Sequence, residues 1–267
     1  MASIDSTARV ATGAELADDA VVGPWCQVGP RVRIGAGARL DSMVLVEGRT
    51  EIGAGCRLHH GAVVGTAPQD LKYRGGESRV SIGEGTVIRE YATINRATGE
   101  EETTVVGKNN LLMAYAHVAH NCHLGDNVIL ANSVNLAGHV EVGDWAIIGG
   151  VTVVHQFCKV GAHVMIGGGS RVPMDLAPYL KAAGSPLRIT GLNSIGLERR
   201  GFSPEAVANL KKLYRLFFRS NLLSADAVAA IRRDLPTCPE VALFLDFVEQ
   251  SQRGLHRPSR HGHHGAA

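Results

Sequence analysis

The chain has 267 residues, of which 45% are hydrophobic and 19% charged, and its formal net charge is +2. This balance excludes a disordered polyelectrolyte and lacks the basic field that marks a nucleic-acid binder. Only 5% of the residues are aromatic while 32 are glycine, so the core is expected to consist of many thin, similar layers of small aliphatic side chains.

The amino-terminal segment has no basic region followed by an apolar core, and no run approaches the length of a membrane span. Five cysteines without paired spacing read as free thiols in a reducing compartment. A cytoplasmic protein with no membrane span is therefore expected.

From Ile4, steps of six reach Val10, Leu16, Val22, Val28, Ile34, Leu40, Val46, Ile52, Leu58 and Val64. The same register continues through Ile82, Ile88 and Ile94, then from Val106 to Val172. Of 29 positions in this series only Asp70, Gly76 and Glu100 are not aliphatic. Four residues after the aliphatic stands a small or modest side chain, as in Ala8, Ala20, Cys26, Ala38, Cys56 and Ala62. A period of six fits neither a helix nor an alternating strand. It fits a parallel β-helix in which three hexads close a triangular coil of 18 residues, giving about nine coils between residues 4 and 172. Cys26, Cys56, Cys122 and Cys158 all occupy the small-residue slot and read as buried packing groups rather than metal ligands.

Two polar stretches, near 65–81 and 95–105, interrupt the hexads without losing their phase and are expected to loop out of the coil. The first holds Gln69, Asp70 and Lys72. The second, with its run Glu100, Glu101 and Glu102, reads as a solvated excursion.

The β-helix is expected to occupy 1–185, followed by a small helical domain over 186–252 and a disordered tail from 253 to 267. Pro173, Pro178 and Pro186 mark the intervening linker. Ser203, Pro204 and Glu205 supply a cap, a first-turn proline and an early acid for a helix over 203–219; Ser224 with Asp226, and Pro239 with Glu240, open two more. A biological metal role for the tail histidines is disfavoured.

Residues 18 apart stack in such a coil at about 4.8 Å. His120 therefore lies beneath Gly138 and then Gln156, and Asn121 beneath His139, so that His117, His120, His139, His155 and Gln156 gather on one edge. Two chemistries suit this edge. His120 can act as a general base on a substrate hydroxyl, with Asn121 setting its tautomer and the Gly138 N–H stabilising an oxyanion. Alternatively, His117, His120, His123 or His139 bind zinc.

Several segments carry a more specific signal: QDLKY from Gln69, NLLMAYAHVAHNC from Asn110, LAGHVEV around His139, VHQFC around His155, GAHVMIGG ending at Gly168, and GLNSIGLERRGF before the helices. With the hexads they resemble the bacterial UDP-N-acetylglucosamine O-acyltransferases. The resemblance covers nearly the whole chain. It implies a left-handed parallel β-helix with a carboxy-terminal helical domain, a homotrimer with sites between neighbours, and no cofactor. The implied reaction moves a 3-hydroxyacyl group from acyl carrier protein to the 3-hydroxyl of UDP-N-acetylglucosamine, the first step of lipid A synthesis.

By the same resemblance His120 is the base and Gly138 the oxyanion donor. Gln69, Asp70, Lys72, His117, His139, His155 and Gln156 contact sugar and donor, Asn193, Arg199 and Arg200 reach the nucleotide, and Gly168 sets acyl-chain length. Two residues depart from the family pattern. Asn121 stands where many members have Asp, and Ile195 where better-known members have Glu near the nucleotide, which leaves open a choice between UDP-N-acetylglucosamine and its 3-amino analogue. Rival readings are the related N-acyltransferase, a zinc enzyme like the γ-class carbonic anhydrases, and a non-catalytic hexapeptide scaffold.

Overall fold

The computed structural model describes residues 1–257. Each hexad forms a strand of two to four residues followed by a tight corner, and consecutive strands are dealt in turn to three sheets of 11, 9 and 8 strands. Ser3–Ile4 pairs in parallel with Val21–Val22, which pairs with Arg39–Leu40, so every third strand stacks in one sheet and the chain advances 18 residues per coil. The fold is the parallel β-helix expected from the hexads.

The aliphatic of each hexad points inward. Val22, Leu40, Leu58, Ile88, Leu112, Leu130, Ile148 and Ile166 form one buried column, each 1% exposed or less. Ile4 begins that column yet is 48% exposed, because the first coil has none beneath it to cover its side chain. The four cysteines of the small-residue slot are free and buried, and burial pushes the Cys122 thiol up to about 12, which holds it as an inert packing group.

Both polar stretches leave the coil, and each lengthens one turn of it. Between Ile52 and Ile82 the paired residues are 30 apart, and between Ile94 and Val118 they are 24 apart. The excursions are shorter than the sequence suggested, because Val63–Thr66, Arg79–Ile82, Thr93–Asn95 and Thr103–Val106 all remain in the sheets. The first loop is pinned by Arg96, whose Nε and guanidinium nitrogen donate to the Tyr73 hydroxyl at 3.2 and 3.0 Å.

The chain does not leave the coil at 186. Leu180–Ala183 extends the 11-stranded sheet, and Arg188–Leu192 folds back antiparallel upon it, so the proline-marked linker is largely a hairpin. Among the described residues four α-helices follow: α1 (Ser194–Arg199), α2 (Pro204–Tyr214), α3 (Ser224–Asp234) and α4 (Pro239–Gln250). α1 was not anticipated; its cap, Asn193, lies among residues without helical periodicity. The Ser203 hydroxyl caps α2 by accepting the Ala206 N–H at 3.1 Å. Ser203→Ala is expected to cost about 1 kcal/mol, measured as a fall in thermal or denaturant stability.

The expected single helix to 219 instead widens into a π-turn at Arg215–Arg219. Phe217 and Phe218 are both buried, with rings 5.1 and 6.1 Å from Phe244. Widening the turn brings two adjacent side chains toward one face, which an ordinary α-helical step separates more.

The segment after α4 is not free at 253. Ser251 Oγ donates to the buried Asp175 carboxylate at 2.7 Å, and the His256 N–H donates to the Asp175 carbonyl at 2.7 Å. The remaining tail, with His261, His263 and His264, lies outside the described residues. Among the described residues no helix is long and apolar enough to cross a membrane.

Candidate active site

The corner between the nine-stranded and eight-stranded sheets holds His120 and Asn121. Asn121 has a left-handed backbone, φ 60°, a conformation that asparagine adopts more readily than most residues. Its side chain is buried in a converging set of hydrogen bonds. Oδ1 accepts the Thr98 N–H and hydroxyl, each at 3.0 Å, and Nδ2 lies 2.6 Å from a Glu102 carboxylate oxygen. A backbone N–H only donates and a carboxylate accepts, so these neighbours fix the orientation of the amide.

That orientation sets the tautomer of His120. Its Nδ1 lies 2.9 Å from Asn121 Oδ1, an atom that can only accept, so Nδ1 carries the hydrogen and Nε2 is left with a lone pair. Nε2 faces Gly138. A Cβ built on Gly138 would lie 2.6 Å from Nε2 and 2.5 Å from Cε1. Glycine is thus required here by the approach of the imidazole, not by a positive φ. Among the described residues no acceptor takes the Gly138 N–H, whereas at the next corner the Asp126 N–H is held by Asp144 at 2.8 Å.

Two further imidazoles flank His120. The His139 ring stands perpendicular to that of His120 with centroids 5.2 Å apart, and stacks on Phe157 at 4.6 Å. The His117 Nδ1 lies 2.7 Å from the Thr93 hydroxyl. Burial, and then the neighbouring His120, hold both His117 and His139 below the ordinary histidine range, which keeps them neutral hydrogen-bonding groups. For His139 the carboxylates of Glu102 and Asp70 oppose that shift, which places Asp70 of the first loop in the electrostatic field of this corner.

A cleft of about 770 Å³ opens beside it, lined by Asn121, His123, His139, Phe157, Glu102 and Arg253. His155 borders Arg253, its Nε2 3.5 Å from the guanidinium, and its Nδ1 lies 3.1 Å from the Gln156 carbonyl. Gln69 and Lys72 are exposed on the first loop. The Lys72 N–H donates to the Asp70 carboxylate at 2.9 Å.

The other expected contacts lie elsewhere on the single chain. Asn193 is 7% exposed; its Nδ2 donates to the His163 carbonyl at 2.9 Å and its Oδ1 accepts the Gly196 N–H at 3.2 Å. Both ends of this amide are used to seat α1. Arg200 donates to the Trp145 carbonyl at 2.8 Å, lies over the Trp145 ring and approaches His163 Nδ1 at 3.4 Å. Burial and this guanidinium depress His163 to about 4. Arg199 and Ile195 are exposed on α1. Gly168 sits at a third corner, where an added Cβ would lie 3.1 Å from the Gly150 carbonyl oxygen. One chain therefore brings together His117, His120, Asn121, Gly138 and His139, and sets Asn193, Arg199, Arg200 and Gly168 on other edges.

Sequence reasoning missed Thr98, Glu102 and Arg253. The acidic run is exposed, as expected of a solvated excursion, but its side chains are engaged: Glu100 accepts the Glu77 N–H at 3.2 Å, Glu101 pairs with Arg49 at 2.7 Å and with Arg79, and Glu102 holds Asn121. The available signal was that this loop keeps the hexad phase, and so enters and leaves the coil directly under residue 121. Among the described residues no three His, Cys, Asp or Glu side chains are grouped as a metal ion would require.

The family model for the second domain of UDP-N-acetylglucosamine O-acyltransferase matches residues 175–256, and the model for six bacterial transferase hexapeptide repeats matches residues 103–138. The acyl-[acyl-carrier-protein]–UDP-N-acetylglucosamine O-acyltransferase of Thiobacillus denitrificans is 46% identical over 96% of this chain and 100% of its own. That of Gloeothece citriformis is 49% identical over 78% of this chain and 75% of its own. The crystal structure of the Moraxella catarrhalis UDP-N-acetylglucosamine O-acyltransferase superposes with a TM-score of 0.91 at 40% identity, covering 95% of this chain and 99% of that one. A parallel β-helix followed by the family's own helical domain thus agrees with full-length relatives, and the chain belongs to the UDP-N-acetylglucosamine O-acyltransferase family.

Proposed function

We propose that the protein transfers a 3-hydroxyacyl group from acyl carrier protein to the 3-hydroxyl of UDP-N-acetylglucosamine in a single displacement. The observation that carries the assignment of roles is the Asn121 amide, which holds Nδ1–H of His120 and frees Nε2 toward Gly138. Nε2 takes the proton of the sugar hydroxyl as its oxygen attacks the thioester carbonyl. The Gly138 N–H donates to the oxyanion that forms. Collapse of the tetrahedral species breaks the carbon–sulfur bond, and the imidazolium returns the proton to the departing carrier thiolate. No serine or cysteine nucleophile is needed, and the cysteines nearest the corner are buried.

Nucleotide contacts from Arg199 and Arg200 suit a pyrophosphate, since guanidinium groups match phosphate oxygens with forked hydrogen bonds. On one chain these residues and the base occupy different edges, and the arrangement closes into one site when the edge of a neighbouring copy lies against the corner. A homotrimer does this. Support comes from the large apolar side chains exposed along the coil, among them Tyr115, Trp145, Val151 and Phe157. The exposed cations Lys211, Lys212, Arg215 and Arg219 offer a surface for an acidic carrier protein.

Mass spectrometry of products tests the reading directly. The protein is incubated with UDP-N-acetylglucosamine or its 3-amino analogue and a ladder of 3-hydroxyacyl carrier proteins, and an acylated sugar nucleotide is expected. Absence of product from every pair would overturn it. With Gly168 leaving the acyl groove open, a longer chain is the expected donor, and Gly168→Met is expected to move the preference to shorter chains in the same assay.

A further inference from the structure

Glu102 has no part in the reaction as described above, yet it contacts the residue that holds the base. The Glu102 carboxylate accepts from Asn121 Nδ2 at 2.6 Å, and Asn121 Oδ1 in turn accepts from His120 Nδ1 at 2.9 Å. The same carboxylate oxygen accepts the Gly99 N–H at 2.9 Å, which closes the loop over residues 99–102 and fixes the acid in place. The Thr98 N–H and hydroxyl bind Asn121 Oδ1 on its other side, and Thr104 Oγ1 accepts the Asn121 backbone N–H at 2.8 Å. A short loop thus delivers one negative charge to the far side of a neutral amide.

From this geometry we infer that Glu102 is a positioning residue for His120, acting through the Asn121 amide as a relay of polarisation. A carboxylate on the Nδ2 side draws the amide N–H toward it and makes Oδ1 a stronger acceptor. Oδ1 then stabilises the imidazolium that forms when Nε2 takes the sugar proton. No proton travels along the relay: the amide keeps both hydrogens, the Glu102 carboxylate only accepts, and the proton on Nε2 passes to the leaving thiolate. The arrangement does at two removes what a carboxylate at position 121 would do by direct contact. It explains how an asparagine occupies a place where acidic support of the base is required.

The inference rests on His120 being the base. The charged and titratable groups around this corner are His117 and His139, each coupled electrostatically to His120, Glu102 and Asp70, which act on His139, and His123, Glu141, Lys159 and Arg253, which line the adjoining cleft. Asp70 also supplies negative charge to this corner, so the test changes Glu102 without disturbing the first loop.

Glu102→Gln, Asn121→Asp and the double variant are compared with the parent protein by the pH dependence of kcat/KM, with thermal unfolding of each as a check on folding and His120→Ala as reference. Glu102→Gln preserves an oxygen for Asn121 Nδ2 but removes the charge. It is expected to lower kcat/KM about tenfold, the scale of an outer partner of a functional histidine. Its acidic limb moves to lower pH, because an imidazolium with less negative charge nearby loses its proton more readily. Asn121→Asp alone sets two carboxylates 2.6 Å apart and does not improve the enzyme. The double variant is expected to recover most of the activity lost in Glu102→Gln, since the carboxylate introduced at position 121 then meets His120 directly while the amide introduced at position 102 donates to it.

An unshifted profile in Glu102→Gln beside an inactive His120→Ala would overturn the relay and leave the base assignment standing. A double variant no better than Glu102→Gln would reduce Glu102 to a loop anchor and overturn it as well. Retained activity in His120→Ala would remove the base, and the relay with it.

Discussion

His120→Ala is expected to lower kcat by roughly 10²–10⁴ with the fold intact. Nε2 of His120 is left with a lone pair by its neighbours and directed at the Gly138 backbone. The flanking imidazoles are held in orientations of their own: His117 is anchored through Nδ1 to Thr93, and the His139 ring lies between His120 and Phe157. The loss should fall on kcat rather than KM, because the proton is transferred only in the transition state. His120 lies at a corner rather than in the aliphatic column, so truncation opens no interior cavity and thermal unfolding should move little. Steady-state kinetics with the cognate carrier checks the first point and a melting curve the second. A scaffold without catalysis would have no turnover for the substitution to remove.

Gly138→Ala should do nearly as much damage through a single methyl group. The added carbon would lie 2.5, 2.6 and 3.2 Å from three atoms of the His120 ring, and at the first two distances the ring or the backbone has to move. The backbone at Gly138 is not in the left-handed region, so alanine costs nothing locally and the whole clash is transferred to the imidazole. The ring must rotate away, which breaks the Nδ1–H bond to Asn121 and moves Nε2 from the hydroxyl it deprotonates. The same methyl crowds the N–H that faces the oxyanion. A fall in kcat of roughly 10²–10³ is expected, the scale of removing one oxyanion donor. Unchanged kcat would mean that Nε2 is not directed at this corner in the working enzyme. A crystal structure of the variant would show the displaced ring.

Much of the fold was legible in one chain because a solenoid is nearly one-dimensional. Each hexad meets only the hexads above and below it, so the side chain that fills the interior must recur at a fixed interval, and Val22, Leu40 and Leu58 announce it. The same regularity made the His120–Gly138–Gln156 stack readable, since no insertion interrupts the coil beyond Val106. The helices α2, α3 and α4 were visible through prolines and acids at their starts. α1 and the hairpin from Leu180 to Leu192 were not, because the residues that specify them, Asn193 and Gly191, act through contacts with His163 and Lys181 that have no periodicity.

The loop over 96–102 separates what the sequence alone determined from what only the tertiary structure decided. Three adjacent glutamates carry no pattern, and in sequence they resemble any solvated charge run. Their functions diverge because the loop closes between Asn95 and Thr103, two strands locked in neighbouring sheets, and so turns Glu101 toward Arg49 and Arg79 but Glu102 toward Asn121. Residue identity determined the repeat, the buried cysteines and the imidazole above which a glycine must stand, all of which follow from spacing along the chain. The tautomer of His120, the carboxylate behind Asn121 and the separation of Arg200 from the base depend on directions in space. Those directions are set only when inserted loops and the carboxy-terminal helices are folded against the coil.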